Sequence, residues 1–296
     1  MKRFLSMITV LLLVIGIASP LTAQAEDGVV DERFGVPIVV YGADLSETEK
    51  ESVKKSLNVA EEAEVEEIMV SGSDLVKYIK DGNDKARMYS SAKITRQEAG
   101  KGLVISIVTE DNITQVTSEM YANAMLTAGI EDAIVEVAAP KKVTGHSALV
   151  GIYKAYEVTG ETLDTERTDV ANDELNLATK FSKEAGVDSD KVSELLTEIK
   201  KQIAEKNPAT KEEVEKIVTE QLSKLNIELS EADRQLLIDL MDRIRNLDID
   251  FNKFSEQLSD MTATIKEKIG EIDPGFWESV KEFFAKLFES IQSWFK

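Results

Sequence analysis

The sequence predicts an α+β protein: an N-terminal mixed α/β sheet domain, then an all-α helical region with a long heptad-patterned helix and an amphipathic C-terminal helix. Three observations predict it. β-Branched runs alternate with capped helical segments over 38–162. No strand-like run follows Leu163. From Leu237 onward, apolar residues recur at steps of three and four. The expected divisions are 1–25, an export signal; 26–37, a linker; 38–162, the α/β domain; 163–273, the helical domain; and 274–296, the C-terminal helix.

The N-terminus opens with Lys2 and Arg3, continues through a 15-residue apolar run (4–18), and reaches Pro20 and the small residues Ala23-Gln24-Ala25. That is the layout of a secretory signal cleaved after Ala25, and the run is short for a membrane span of ~20 residues. Cleavage removes two bases and no acid, taking the net charge from −20 to −22. So acidic a chain is repelled by a phosphate backbone, so nucleic acid is excluded as a partner. The expected location is extracellular, on the cell wall or the membrane surface.

In the α/β region, 38–41 reads as a strand and 42–45 as a turn. Ser46 with Glu49 forms a capping box for a helix over about 47–57. A second strand covers 66–70. The turn Ser71-Gly72-Ser73-Asp74 leads into a short helix with Leu75, Val76 and Ile79 facing inward. Residues 86–97 alternate through Met88, Ser90, Ala92 and Ile94 as a half-exposed strand, and Gly100-Lys101-Gly102 closes a hairpin onto 103–108. Asn112 with Gln115 caps a helix carrying Ile113, Val116, Met120, Tyr121 and Ala124, which Gly129 ends. The strand 133–139 returns parallel to 103–108, and a last helix covers 147–158.

The strings Gly42-Ala43-Asp44-Leu45, Asn112-Ile113-Thr114, Tyr121-Ala122-Asn123-Ala124, Thr127-Ala128-Gly129-Ile130 and Val143-Thr144-Gly145-His146-Ser147-Ala148-Leu149, running into Gly151-Ile152-Tyr153-Lys154-Ala155, resemble the YpuA-like family of exported Gram-positive proteins, a domain of unknown function. The resemblance is dense over about 38–165 and loose beyond. It implies an envelope-facing role and no known activity. The family pattern carries an acidic residue where His146 stands, which argues against a catalytic use of this histidine.

In the helical region, helices are expected at 165–185, 190–206 and 211–225, with a further one opened by Ser230 and Asp233. Its seam runs Leu237, Leu240, Ile244, Leu247, Phe251, Phe254, Leu258, Met261, Ile265, with Ile272 resuming it. The poor helix formers of 246–250 leave two outcomes open, a continuous rod or a break. The seam either packs on the chain's own helices or joins a second copy or a partner.

After Pro274, Phe276, Trp277, Val280, Phe283, Phe284, Leu287, Phe288, Ile291, Trp294 and Phe295 fall on one helical face. Seven of the chain's 18 aromatics lie there, a stripe that must be covered. Its own helices, an envelope protein or second copy, and a membrane surface are the three covers. Lys281, Lys286 and Lys296 are balanced by Glu278, Glu282 and Glu289, which disfavours an anionic membrane.

Catalytic searches fail one by one. No cysteine and a single histidine exclude thiol chemistry, disulfides and a zincin site. Gly145-His146-Ser147-Ala148-Leu149 is similar to a nucleophile elbow, but Leu149 replaces the second glycine and the only histidine adjoins the serine. Ser52-x-x-Lys55 and Ser90-x-x-Lys93 lack their supporting motifs. No phosphate loop, dinucleotide fingerprint or EF-hand occurs, so no cofactor and no metal is expected. Three turns remain, each leaving an expected parallel strand for a helix N-terminus: Ser71-Gly72-Ser73, Asn112 and Thr144 to Ser147. Such turns hold small anions or wall fragments. Asp74, Glu110 and Asp111 crowd the same edge and oppose this, and simple helix capping is the competing explanation. The favoured function is a non-enzymatic binding protein working through its helical region. An envelope hydrolase and a peripheral membrane protein are the alternatives.

Overall fold

A computed structural model describes residues 35–250. The expected export signal and its cleavage point, most of the expected linker, the seam from Phe251 onward and the aromatic stripe of 274–296 lie outside the described residues.

Five strands form one mixed sheet in the order β2-β1-β3-β5-β4. They are β1 (Ile38–Gly42), β2 (Glu66–Val70), β3 (Ser91–Arg96), β4 (Val104–Ile107) and β5 (Ala133–Ala138). β1 and β2 pair in parallel, as do β4 and β5, while β3 runs antiparallel to both its neighbours. The C-terminal ends of β1, β2, β4 and β5 therefore share one edge with the start of β3. β1 is apolar throughout because both its faces are covered. Ile38 and Val40 join the main core, while Val39 and Tyr41 join Val53 and Leu57 of the segment that includes α1 (Glu47–Ser56).

On the main-core side, α3 (Ser118–Ala128) and α4 (His146–Val158) pack on the sheet. Outside them lie α5 (Thr165–Lys183), α6 (Ser189–Lys206), α7 (Lys211–Lys224) and α8 (Glu231–Asn246), with α5 against α3. One continuous buried cluster runs from Ile38 to Leu247 through both halves.

Several local expectations are corrected. In α2 (Gly72–Tyr78), Val76 is exposed rather than inward-facing. β3 is not half-exposed: Ser91 and Lys93, on the face opposite Ala92 and Ile94, are also buried, because α1 and the turn after it cover that side. Lys93 spends its ammonium on Leu57 O (3.0 Å), Glu62 (2.8 Å) and Glu136 (2.6 Å). The hairpin does not form. β5 inserts between β3 and β4, with Val135 opposite both Ile94 and Ile105, and the turn is tied to β5 through Gly102 N–H donating to Asp132 Oδ1 at 2.8 Å.

Asn112 does not cap α3. Thr117 does, accepting from Met120 N–H at 3.3 Å, while Asn112 ends a 3-10 turn and donates its Nδ2 to Ala139 O at 2.8 Å. α8 stops at Asn246, and Leu247 turns extended, so the break at 246–250 is the outcome. The described part of the seam, Leu237, Leu240, Ile244 and Leu247, is buried in the chain's own core.

Candidate functional site

The sheet edge that collects the C-terminal strand ends also receives the N-terminus of α4. Gly145 starts that helix with φ 104°, a left-handed value that costs glycine nothing. A Cβ there would stand 2.8 Å from Ile113 Cγ2 and Tyr121 Oη, and Tyr121 donates its hydroxyl to Gly145 O at 2.6 Å. The turn is thus fixed by packing and a buried hydrogen bond, with no side chain capping the helix and no acid in its first turn. Ala148 N–H returns to Gly145 O at 3.0 Å. The His146 and Ser147 N–H groups lead the helix, where none has an intrahelical partner.

Facing that turn is the irregular segment 86–90, just before β3. It is held by Met88 N–H donating to Asp44 Oδ2 (2.7 Å), by Asp44 N–H donating to Met88 O (3.1 Å), and by Ser90 N–H donating to Ser147 Oγ (3.3 Å). Gly42 lets this segment pass, since a Cβ there would meet Met88 O at 2.2 Å.

Between segment and helix lies an open cavity of about 320 Å³, within the size range of small-ligand sites. Leu75, Met88 and Val150 give it apolar wall, and Ser90, Thr144, His146, Ser147 and Asn172 give it polar groups. Arg87 and Tyr89 also line it. The guanidinium donates to the Tyr89 hydroxyl at 3.0 Å, and Lys141 Nζ stands 3.8 Å from the Tyr89 ring centroid. Ser90 is 1% exposed and its hydroxyl has no partner among the described residues.

Of the turn residues named from sequence, Thr144 and Ser147 line the cavity; Ser71, Gly72, Ser73 and Asn112 do not. Ser71 is consumed by a capping box, its N–H and hydroxyl both 2.8 Å from Asp74 Oδ2. Burial would raise the Asp74 carboxyl, but hydrogen bonds from Lys154 and Ser71 outweigh it and hold it below the usual carboxylate range. Gly72 is required by packing, its missing Cβ standing 2.2 Å from Asp84 O, and Ser73 is exposed.

Arg87 and Asn172 escaped the sequence reading, and Ser90 entered it only as a strand residue and as a rejected Ser-x-x-Lys candidate. A polar Ser90 at an inward position of the Met88, Ser90, Ala92, Ile94 alternation was the one signal that could have found the site.

His146 is half-buried, and Ser147 sits inside the first turn rather than capping it. The histidine Nε2 lies 3.2 Å from Thr179 Oγ1 on α5, and burial, aided by Lys183, pushes its pKa below the usual histidine value. With Ser147 bonded to Ser90 N–H and His146 engaged by α5, the two do not form a nucleophile and base pair. Among the described residues, no His, Asp or Glu cluster suits a metal, and no helix is long and apolar enough to cross a membrane.

The family model described as "Protein of unknown function (DUF1002)" matches residues 41–261. The chain is 35% identical over 274 residues to the uncharacterized protein YpuA of Bacillus subtilis (strain 168), covering 90% of this chain and 92% of that protein. No solved structure matches it.

Proposed function

The chain belongs to the DUF1002 family, and from that premise we propose that it is an exported, non-enzymatic binding protein of the cell envelope whose ligand site is the cavity between segment 86–90 and α4. The observation that carries this reading is Ser90: it lines this cavity, and its buried hydroxyl has no partner among the described residues. A buried polar atom without a partner costs about 1–3 kcal/mol, a cost that an incoming ligand atom removes. The sequence motivates the exported location through its apolar leader and the small residues before Glu26.

We favour binding over turnover because Ser147 Oγ accepts from Ser90 N–H and His146 Nε2 faces Thr179 Oγ1. The cavity is favoured over the described part of the seam as the binding face, since Leu237, Leu240, Ile244 and Leu247 are buried in the chain's own core.

Ligand-observed NMR of the purified chain against small molecules extracted from the envelope tests the reading. Binding should disappear in Thr144→Trp, which blocks the cavity from an exposed position. Ligands that bind both forms equally would defeat it. N-terminal sequencing of the protein recovered outside the cell should begin at Glu26, and recovery of an intact Met1 in the cytosol would defeat the exported location.

The aromatic stripe of 274–296 supports a second role, in self-association or in docking to an envelope protein or membrane surface. Light scattering of the chain with and without 274–296 tests it, and the same monomer mass in both would count against self-association. Vesicle co-sedimentation that survives Trp277→Ser with Phe284→Ser would count against the membrane.

A further inference from the structure

Resting on the reading of this cavity as a ligand site, we infer that the group it recognises is a small oxyanion, a carboxylate or phosphate, seated between Arg87 and the first turn of α4. Four features of the site converge on it.

The chain has 55 acidic residues, yet none is among the twelve residues lining this cavity. Two further cavities among the described residues each carry three: Glu62, Glu64 and Glu136 in one, Glu51, Glu61 and Glu67 in the other. In so acidic a protein, a carboxylate-free wall with an exposed arginine is a place where an anion meets less repulsion than in those two cavities. Asp44, the carboxylate that acts electrostatically on Arg87, gives an oxygen to Met88 N–H.

The second feature is the helix end. α1, α3, α5, α6, α7 and α8 each have an N-cap side chain that accepts from their first turn. α4, thirteen residues long, has Gly145 in that place and no first-turn acid, so the positive end of its dipole opens on the cavity wall unneutralised. The third feature is independent of the helix: the Ser90 hydroxyl, buried and unpartnered among the described residues, is a donor in the same wall. The fourth is Arg87, whose donation to the neutral Tyr89 hydroxyl leaves its charge available for a fork of hydrogen bonds to an oxyanion.

The test is an amide NMR titration of the purified chain with inorganic phosphate, with acetate, and with glycerol as a neutral control. Saturable shifts are expected at residues 145–148 with at least one anion and none with glycerol. The stronger of the two anions identifies phosphate or carboxylate. Arg87→Gln should weaken that binding at least fivefold and Ser90→Ala two- to fivefold, with the spectra elsewhere unchanged.

Anion shifts that do not saturate at 145–148, or an affinity unaltered by Arg87→Gln, overturn the inference. If neutral compounds bind there and are blocked by Thr144→Trp while neither anion binds, the anion assignment fails and the cavity reading stands. If nothing perturbs 145–148, both fail.

Discussion

Two buried polar regions of this molecule treat their hydrogen-bonding groups in opposite ways. Where α3, α5 and α6 meet, Lys200 is fully enclosed and ion-paired with Glu174. Its ammonium also donates to Asn123 O at 3.1 Å and Thr127 Oγ1 at 2.9 Å, and Thr127 Oγ1 donates to Glu174 Oε2 at 2.6 Å. Asn123 Nδ2 continues the network to Thr197 at 3.2 Å. At the cavity, by contrast, α4 has no side-chain cap and Ser90 has no acceptor among the described residues. One region closes on itself and locks three helices together. The other leaves capacity over, and unfilled polar capacity beside a cavity is what separates a binding surface from a structural contact.

The sharpest way to break this comparison is to open the closed region. Burial pushes the Lys200 ammonium down from its usual pKa, and only Glu174 opposes that. Lys200→Met should leave a buried, unpaired Glu174 and cost about 3–5 kcal/mol in urea unfolding. Lys200→Met with Glu174→Met should recover most of it, since the loss comes from the uncompensated charge. A double variant as unstable as the single one would show that the network does more than neutralise itself. The anion titration at 145–148 should be unchanged in the double variant.

The next effect falls on the open region's own frame. Gly145→Ala asks a side chain to adopt φ 104° and to stand 2.8 Å from Ile113 and Tyr121. The backbone term alone is about 1–3 kcal/mol. The loss in unfolding free energy should exceed that of removing an ordinary cap such as Ser230→Ala, about 1 kcal/mol. An equal loss would mean that α4 tolerates a different start, and that its uncapped end is not fixed by packing.

How much of this was legible in the sequence follows the same division. Caps made within four residues could be read directly: Ser46 with Glu49 and Ser230 with Asp233 both form. So could β1, an apolar and β-branched run, β2, whose Ile68-Met69-Val70 leads into turn residues, and the family strings. Partners distant in sequence could not. Nothing local tells Asn112 to donate to Ala139, so Thr117 took the cap the sequence had given it. Nothing local places β5 between β3 and β4, because a glycine turn looks the same whether its strands pair or part. The cavity is the extreme case. Thr144 and Ser147 could be named because they precede or open a helix, whereas Arg87 and Asn172 reach it from 86–90 and from α5.

His146 joins the two regions and gives a smaller, pH-dependent prediction. Its folded pKa lies below the ordinary 6.5, through burial first and Lys183 second. Above 6.5 the ring is neutral in both states and contributes nothing. As pH falls through 6.5 the unfolded chain binds the proton first, so stability drops until the folded pKa is passed. The loss of urea stability between pH 7.5 and pH 5 should therefore be larger in the parent than in His146→Gln. Equal losses would place the ring in a more solvated setting than its contact with Thr179 implies.

The smallest effect is the one whose sign decides between the two regions. Ser90→Ala removes a hydroxyl that is 1% exposed and has no partner among the described residues, while keeping the Ser90 N–H bond to Ser147 Oγ. If that hydroxyl is held for a ligand, the unliganded protein gains about 0.5–1 kcal/mol from its loss, because a desolvated group without a partner is a cost. In the closed network, Thr127→Val removes a hydroxyl that both donates to Glu174 and accepts from Lys200, and it should lose stability by more than that gain. Paired urea titrations of the two variants read the opposition directly. A loss of stability in Ser90→Ala would mean that its hydroxyl is satisfied within the fold, and the cavity would then be as closed as the helical core.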